Sequence, residues 1–218
     1  MSEPVVVWGA SGHARVVAEL VRLDERFHLI GFIDDINNDR HGAKFCGVTI
    51  LGGREQLESL REQGVSRAFI AVGDCAARMQ LAGVAQSSGF DIATLIHPQA
   101  VVAADVVLGT GTAVMAGAVV NPGARIGANV IINTCSCVEH GCVVEDGAAL
   151  GPGVMLGGDV SVGSQTVVGI AAVVRDHLRI GARSIIGAGA LVLTDIPDEV
   201  VAFGLPARVI RGIHGDGD

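Results

Sequence analysis

The sequence predicts an α/β unit built on a small parallel sheet, followed by an all-β parallel β-helix. Three observations predict this. Strand-like and helix-like stretches alternate over the first ninety-odd residues. From Ile96 to Val192 an Ile, Leu or Val recurs every sixth residue, seventeen times and without insertion. The composition combines 31 glycines with six Phe, one Trp and no Tyr, which suits a stack of small repeated units better than an ordinary packed sandwich.

The chain has 218 residues, enough for one large or two small domains, and half of them are hydrophobic. Twenty-three acidic residues against 15 Lys and Arg give a formal net charge of −8. That excludes nucleic acid as the expected partner, because phosphate backbones need a basic surface. A small anion in a local pocket remains compatible with it. The start "MSEPVVVWGASG" has no basic leader, and its apolar run is too short for a membrane span. The five cysteines are an odd number and read as free thiols in a reducing cytoplasm, the expected location.

In the first half, "PVVVWG" (4–9), "HLIGFIDD" (28–35), "RAFIAVG" (67–73) and "DIATLI" (91–96) read as strands. Stretches 13–23, 53–64 and 76–89 carry apolar residues at helical spacing. "WGASGHARVV" is a glycine-rich turn from strand into helix. Such a turn aims backbone N–H groups and a helix dipole at an anion, as the diphosphate of a nucleotide sugar requires. Asp34 and Asp35, about 22 residues beyond Gly12, are placed to accept bonds from ribose hydroxyls. The spacing is not G-x-G-x-x-G and the strands are only four or five, so NAD is the weaker ligand. A tight turn with no ligand is the plain structural alternative.

The second half divides into hexads, from LIHPQA through CVEHGC to LVLTDI. This is the hexapeptide repeat of a parallel β-helix. Each hexad forms one side of a triangular prism and three hexads, 18 residues, form one coil. The aliphatic residue points inward and stacks on its equivalents, with coils about 4.8 Å apart. A second inward position is small or β-branched, and Gly or Asn suits the corners. After Ile196 the repeat ends, "PDEVVAFGLPARVIRG" leaves the prism, and the tail "IHGDGD" is expected to be mobile.

"NTCSCVEHGC" (133–142) has the composition of a metal site, but the register separates its members. Cys142 falls on the small inward position and reads as apolar filler. Cys135 and His140 lie around a corner from one another. Zinc needs three or four ligands converging at ~2.0–2.3 Å, so no metal is expected here. A site shared by His97, His140 and His177 is disfavoured because they do not stack in one place. His140 points out beside a corner, and Gly158, 18 residues on, lies at the same place one coil along. An outward histidine beside bare backbone has the parts for acyl transfer: a base for the nucleophile and an amide for the developing oxyanion. A solvated surface histidine is the bland alternative.

Taken together, "GASGHA" near the N-terminus, "VEH" in mid-helix and the exit "GLPARVI" resemble the bacterial sugar acetyltransferases of the NeuD/PglD type, left-handed β-helix enzymes. The resemblance implies a Rossmann-like nucleotide-sugar-binding domain over 1–94, a left-handed β-helix acyltransferase domain over 95–196 and an exit segment over 197–218. It implies a homotrimer, acetyl-CoA in the groove between two β-helices, and a nucleotide-linked amino sugar, usually aminated at C4, as acceptor for bacterial surface glycan or glycoprotein synthesis. Carried over residue by residue, His140 is the general base and the amide of Gly158 holds the thioester carbonyl. Ile170 and Ala188 contact the CoA arm. Ser11, Gly12 and His13 form the nucleotide-sugar loop, Asp34 and Asp35 read the base or ribose, and Gly73 lines the same pocket.

Two positions depart from that pattern. Relatives often carry an acidic residue after the histidine, where this chain has Gly141, and some carry a second histidine where it has Ala149. Glu139 or Asp146 are the candidates for the missing acid, although strand alternation points Glu139 away from His140. The rival readings are an O-acetyltransferase using the same base and groove, and a non-catalytic nucleotide-sugar-binding trimer.

Overall fold

The computed structural model describes residues 2–214. The last four residues of "IHGDGD" lie outside the described residues. The chain divides into two compact units, residues 1–95 and 96–218.

The first unit runs β1 (Glu3–Trp8), α1 (Gly12–Leu23), β2 (Phe27–Ile33), β3 (Lys44–Phe45), β4 (Val48–Gly52), α2 (Leu57–Glu62), β5 (Arg67–Ile70), α3 (Cys75–Ser87) and β6 (Asp91–Ile92). Its sheet has the order β3-β4-β2-β1-β5-β6. All pairs are parallel except β3 with β4. Val5, Val6 and Val7 are fully buried, as expected for a central strand covered on both faces. Helix α1 buries Ala14, Val17, Ala18 and Val21, a stripe at i, i+3, i+4 and i+7.

The β3–β4 hairpin lies between the stretches 28–35 and 53–64, where neither a strand nor a helix was expected. Cys46 and Gly47 form a two-residue turn with φ of +46° and +82°. Left-handed backbone at both positions matches the twist of a tight hairpin. Likewise 91–96 is not one strand. Asp91–Ile92 closes the first sheet, whereas Leu95–Ile96 starts a prism face.

In the second unit three parallel sheets of two-residue strands form the sides of a left-handed β-helix. Each strand pairs with the one 18 residues on, as in Val119↔Cys137 and Cys137↔Met155. The inward aliphatics from Val114 to Val192 are all buried and form one continuous core. Its second inward position holds Thr112, Ser136, Cys142, Thr166 and Ser184, each buried. Their side chains donate to main-chain carbonyls at the next corner: Thr112 to Gly127, Ser136 to Gly151, Thr166 to Gly181 and Ser184 to Pro197, at 2.6–2.9 Å.

The corners repeat as strictly as the core. Every sixth residue from Gly111 to Gly189 has φ between +51° and +76°. Seven of these are not glycine, including Asn129, Cys135, Asp159 and His177. Left-handed backbone is unfavourable for such residues by ~1–2 kcal/mol each, so it is the coil geometry that imposes it. The exit segment does not leave the prism at once. Val200–Gly204 adds a further parallel rung, Ile185↔Val201, and only Ala207–Gly212 turns back antiparallel.

Leu150 is fully buried in the centre of this core. Leu150→Ala is expected to lower stability by about 2–5 kcal/mol, measured as a shift of the denaturant midpoint with an unchanged slope.

Candidate functional site

Two places gather the residues singled out in the sequence, one in each unit. In the first unit a cleft of about 280 Å³ is lined by Gly9, Ala10, Ser11, Asp34, Asn37, Arg40, Val72 and Gly73. It opens at the carboxyl ends of β1, β2 and β5. The strand order departs from β1 in both directions there, the switch point at which parallel sheets hold ligands.

Gly9 makes the close approach possible. It has φ of +114°, and a Cβ there would lie 2.7 Å from the carbonyl oxygen of Ala71. Ser11, the N-cap of α1, lines the cleft and makes no side-chain cap, and the first turn of the helix has no acidic residue, so no side chain there neutralises the positive end of the helix dipole. Asp34 is 7% exposed. One of its oxygens accepts from the Ile36 N–H at 3.1 Å and the other lies 3.6 Å from the Arg40 guanidinium. Arg40 also donates to the Ala10 carbonyl at 2.8 Å, which ties the two rims together.

The structure thus brings Ser11, Asp34 and Gly73 to one cleft. Gly12, His13 and Asp35 are not in its lining. Asp35 turns to Arg54, accepting from its N–H at 2.7 Å and its guanidinium at 2.8 Å. His13 is mostly buried, its Nε2 has no hydrogen-bond partner among the described residues, and burial with the nearby Arg78 charge lowers its pKa to about 4. It is therefore a neutral imidazole at pH 7. Arg40 and Asn37 were not singled out in the sequence. The polar run "NNDR" after β2 was their only signal.

In the second unit His140 stands on the corner between the strand Cys137–Val138 and the strand Val143–Val144. Its exposed ring lies against the next coil. A Cβ on Gly158 would be 2.5 Å from Cε1 and 2.7 Å from Nε2. Glycine is therefore the residue that lets the imidazole settle there. The N–H of Gly158 has no partner among the described residues.

Its direction follows from Cys142. The Cys142 thiol donates inward to the Gly157 carbonyl at 3.1 Å. In a trans peptide C=O and N–H point opposite ways, so holding the Gly157 oxygen inward turns the Gly158 N–H outward, beside the imidazole. Reading Cys142 as apolar filler thus missed its hydrogen bond, which a serine or threonine at the same position would have suggested. Burial raises the thiol pKa to about 11, so it is not a nucleophile at neutral pH.

Glu139 directs one oxygen to the Cys137 thiol, at 3.8 Å, and the other to the main-chain N–H of His140, at 3.3 Å. Neither is hydrogen-bonded to the imidazole. Asp146 accepts from the Ala128 N–H at 2.7 Å, at a different corner. Cys135 is exposed, at a corner with φ of +58°. Ile170 is 58% exposed and, like Ala188, stands at a corner position further along the prism. Among the described residues no three His, Cys, Asp or Glu converge as metal ligands, and no helix is long and apolar enough to cross a membrane.

Residues 4–84 match the family model described as the PglD N-terminal domain. Over the whole fold the chain is similar to a histidine-to-asparagine mutant of perosamine N-acetyltransferase from Caulobacter crescentus, solved with CoA and GDP-perosamine. The identity is 40%, the TM-score 0.91, and the match covers 99% of this chain and 97% of that one. The acetyltransferase domain of PglB from Neisseria gonorrhoeae, solved with acetyl coenzyme A, matches at 33% identity and TM-score 0.90, over 96% of this chain and 100% of that one. UDP-N-acetylbacillosamine N-acetyltransferase from Bacillus subtilis is 40% identical over 113 residues, 51% of each chain. Against curated relatives the chain spans about half of their length or less.

Because the folded state keeps His13 neutral down to about pH 4 while the unfolded state protonates it near 6.5, the unfolded state binds more protons in between. Stability is then full above pH 6.5 and falls by about 3 kcal/mol as pH drops towards 4. Denaturant titrations across this range are expected to show that loss, and His13→Gln to flatten it.

Proposed function

The chain belongs to the NeuD/PglD-type sugar acetyltransferases, and on that premise we propose that it transfers the acetyl group of acetyl-CoA to the amine of a nucleotide-linked amino sugar. The observation that carries this is the corner at His140, where an exposed imidazole lies over Gly158 and a free main-chain N–H points out beside it. A base and an oxyanion donor next to each other are what acyl transfer to an amine requires.

The residues divide the work as follows. The Gly158 N–H donates to the thioester oxygen and strengthens its hold as negative charge develops there. His140 removes a proton from the acceptor ammonium, so that the nitrogen lone pair can attack the acyl carbon. The C–N bond forms, the tetrahedral intermediate collapses, and the C–S bond breaks. The nitrogen loses two protons in all: one ends on the CoA sulfur and the other goes to solvent, both by way of His140. No side chain is acylated, and Cys135, Cys137 and Cys142 are not needed. Ile170 and Ala188 present open corner backbone along the same prism, suited to the extended CoA arm.

The cleft of the first unit suits the nucleotide. The start of α1 meets the diphosphate, and Asp34 with Arg40 reads the base or ribose. GDP-perosamine, the ligand of the Caulobacter relative, is the first nucleotide sugar to test.

A homotrimer is part of the proposal. The outward residues of one prism face are Val101, Val119, Cys137, Met155, Val173 and Leu191, an unbroken apolar row. Val101 is 63% and Met155 47% exposed. The next face around is mixed, with Val107, Arg125, Val143, Ser161 and Arg179. Covering the apolar row with a second copy would wall the groove at His140, since that corner borders the row. The setting that fits is the cytoplasm, where acetyl-CoA and nucleotide sugars are made and free thiols such as these five stay reduced.

His140→Ala is expected to lower kcat about 10²–10⁴-fold with the Kd for acetyl-CoA little changed. Assays of 4-amino nucleotide sugars beside hydroxyl acceptors should show turnover with the amines, and acetylation of hydroxyls alone would refute the proposal. Light scattering at micromolar concentration should give three times the chain mass, whereas a monomer would refute the shared groove.

A further inference from the structure

The corner of His140 belongs to a column in which Asp105, Gly123, Gly141, Asp159, His177 and Asp195 follow one another at 18-residue intervals. The N–H of Asp159 donates to the His140 carbonyl at 2.9 Å, which locks the two rungs together. The carboxylate of Asp159 folds back across that step. A Cβ on Gly141 would lie 2.1 Å from its Oδ1 and 3.2 Å from its Cγ. The acid thus fills the side-chain space that Gly141 leaves empty. Its Oδ2 lies 3.5 Å from Nδ1 of His177, whose Nε2 is 3.6 Å from Asp176. Below it the floor is bare, because a Cβ on Gly123 would meet only the backbone of Gly141, at 3.6 Å.

We propose that Asp159 is a specificity-determining residue: its carboxylate receives the positively charged amine of the acceptor beside His140 and so selects an amine over a hydroxyl. The inference rests on acetyl transfer at His140. An aliphatic amine arrives from water as an ammonium, and a carboxylate binds an ammonium by charge-assisted hydrogen bonds that a neutral hydroxyl cannot match. Asp159 directly follows Gly158, on which the imidazole lies, so acid, base and oxyanion donor occupy two adjacent rungs of one corner. The other ionisable groups around the carboxylate are His177, Asp176 through it, Glu139 one rung below, and the Cys142 thiol, whose proton the Asp159 charge helps to hold. Glu139 and Asp146 are held by other groups, and Asp159 is the carboxylate that folds over Gly141, next to His140.

The test is steady-state kinetics of the full chain with acetyl-CoA and GDP-perosamine, from pH 6 through the titration of the sugar amine. Asp159→Asn should raise the KM for the amino sugar about tenfold while the amine is protonated. The difference should close as the amine becomes neutral, with the KM for acetyl-CoA unchanged. Gly141→Ala should raise KM in the same way by displacing the carboxylate. The corner tolerates alanine, since Ala171 adopts φ of +56° at the equivalent position. A KM ratio near one, or a ratio that stays constant through the amine's titration, overturns the role of Asp159 and leaves acetyl transfer at His140 standing. If no amino sugar is acetylated by the unsubstituted enzyme, the acetyltransferase reading fails and this inference fails with it.

Discussion

Everything at the His140 corner depends on the 18-residue coil. A parallel ladder fixes the distance between coils at about 4.8 Å, and the inward aliphatic row fixes which residues lie above one another. A side chain in this prism therefore has neighbours set by arithmetic: whatever stands 18 positions away. The coil closes only because each corner turns through left-handed backbone, and it imposes that conformation on Cys135, Asp159 and His177 as well as on glycine. The ladder is rigid in the same sense. A register slip of one residue would turn Val144, Leu150 and Leu156 outward together.

That rigidity is what makes the exposed backbone useful. The Gly157–Gly158 peptide is held from inside by the Cys142 thiol and left bare outside by two glycines. Its N–H is preorganised, since no main-chain rearrangement is needed to present it. The imidazole of His140 rests on the same peptide from the rung below. One inward hydrogen bond and one missing side chain thus determine both the direction of the donor and the seat of the base. The apolar row on the neighbouring face adds a reason for copies to assemble there, which would take the corner out of bulk water and strengthen every charge interaction in it.

The prism was legible because its period is carried by one residue in six and is insensitive to everything between. His140 and Gly158 were legible by the same count. Side-chain hydrogen bonds were not. Cys142 was read by its class, small and apolar, and the carbonyl it faces lies 15 residues further on. Asp35 was grouped with Asp34 by adjacency, but successive residues diverge, and Arg54 holds Asp35 aside. The β3–β4 hairpin was hidden because its first strand has two residues, too few for an alternation pattern, although the Cys46–Gly47 pair carried a turn signal. Asp159 was missed because its significance lies across a coil, over a glycine that looked only like an absence.

The most direct test of the His140–Gly158 corner is a crystal structure with a non-transferable acetyl-CoA analogue bound. The thioester oxygen should lie within hydrogen-bond distance, about 2.7–3.1 Å, of the Gly158 nitrogen, with the acyl carbon facing His140. An analogue seated with its acyl group against any other part of the prism, and the Gly158 N–H turned to water, would contradict the assignment of this corner as the place of transfer.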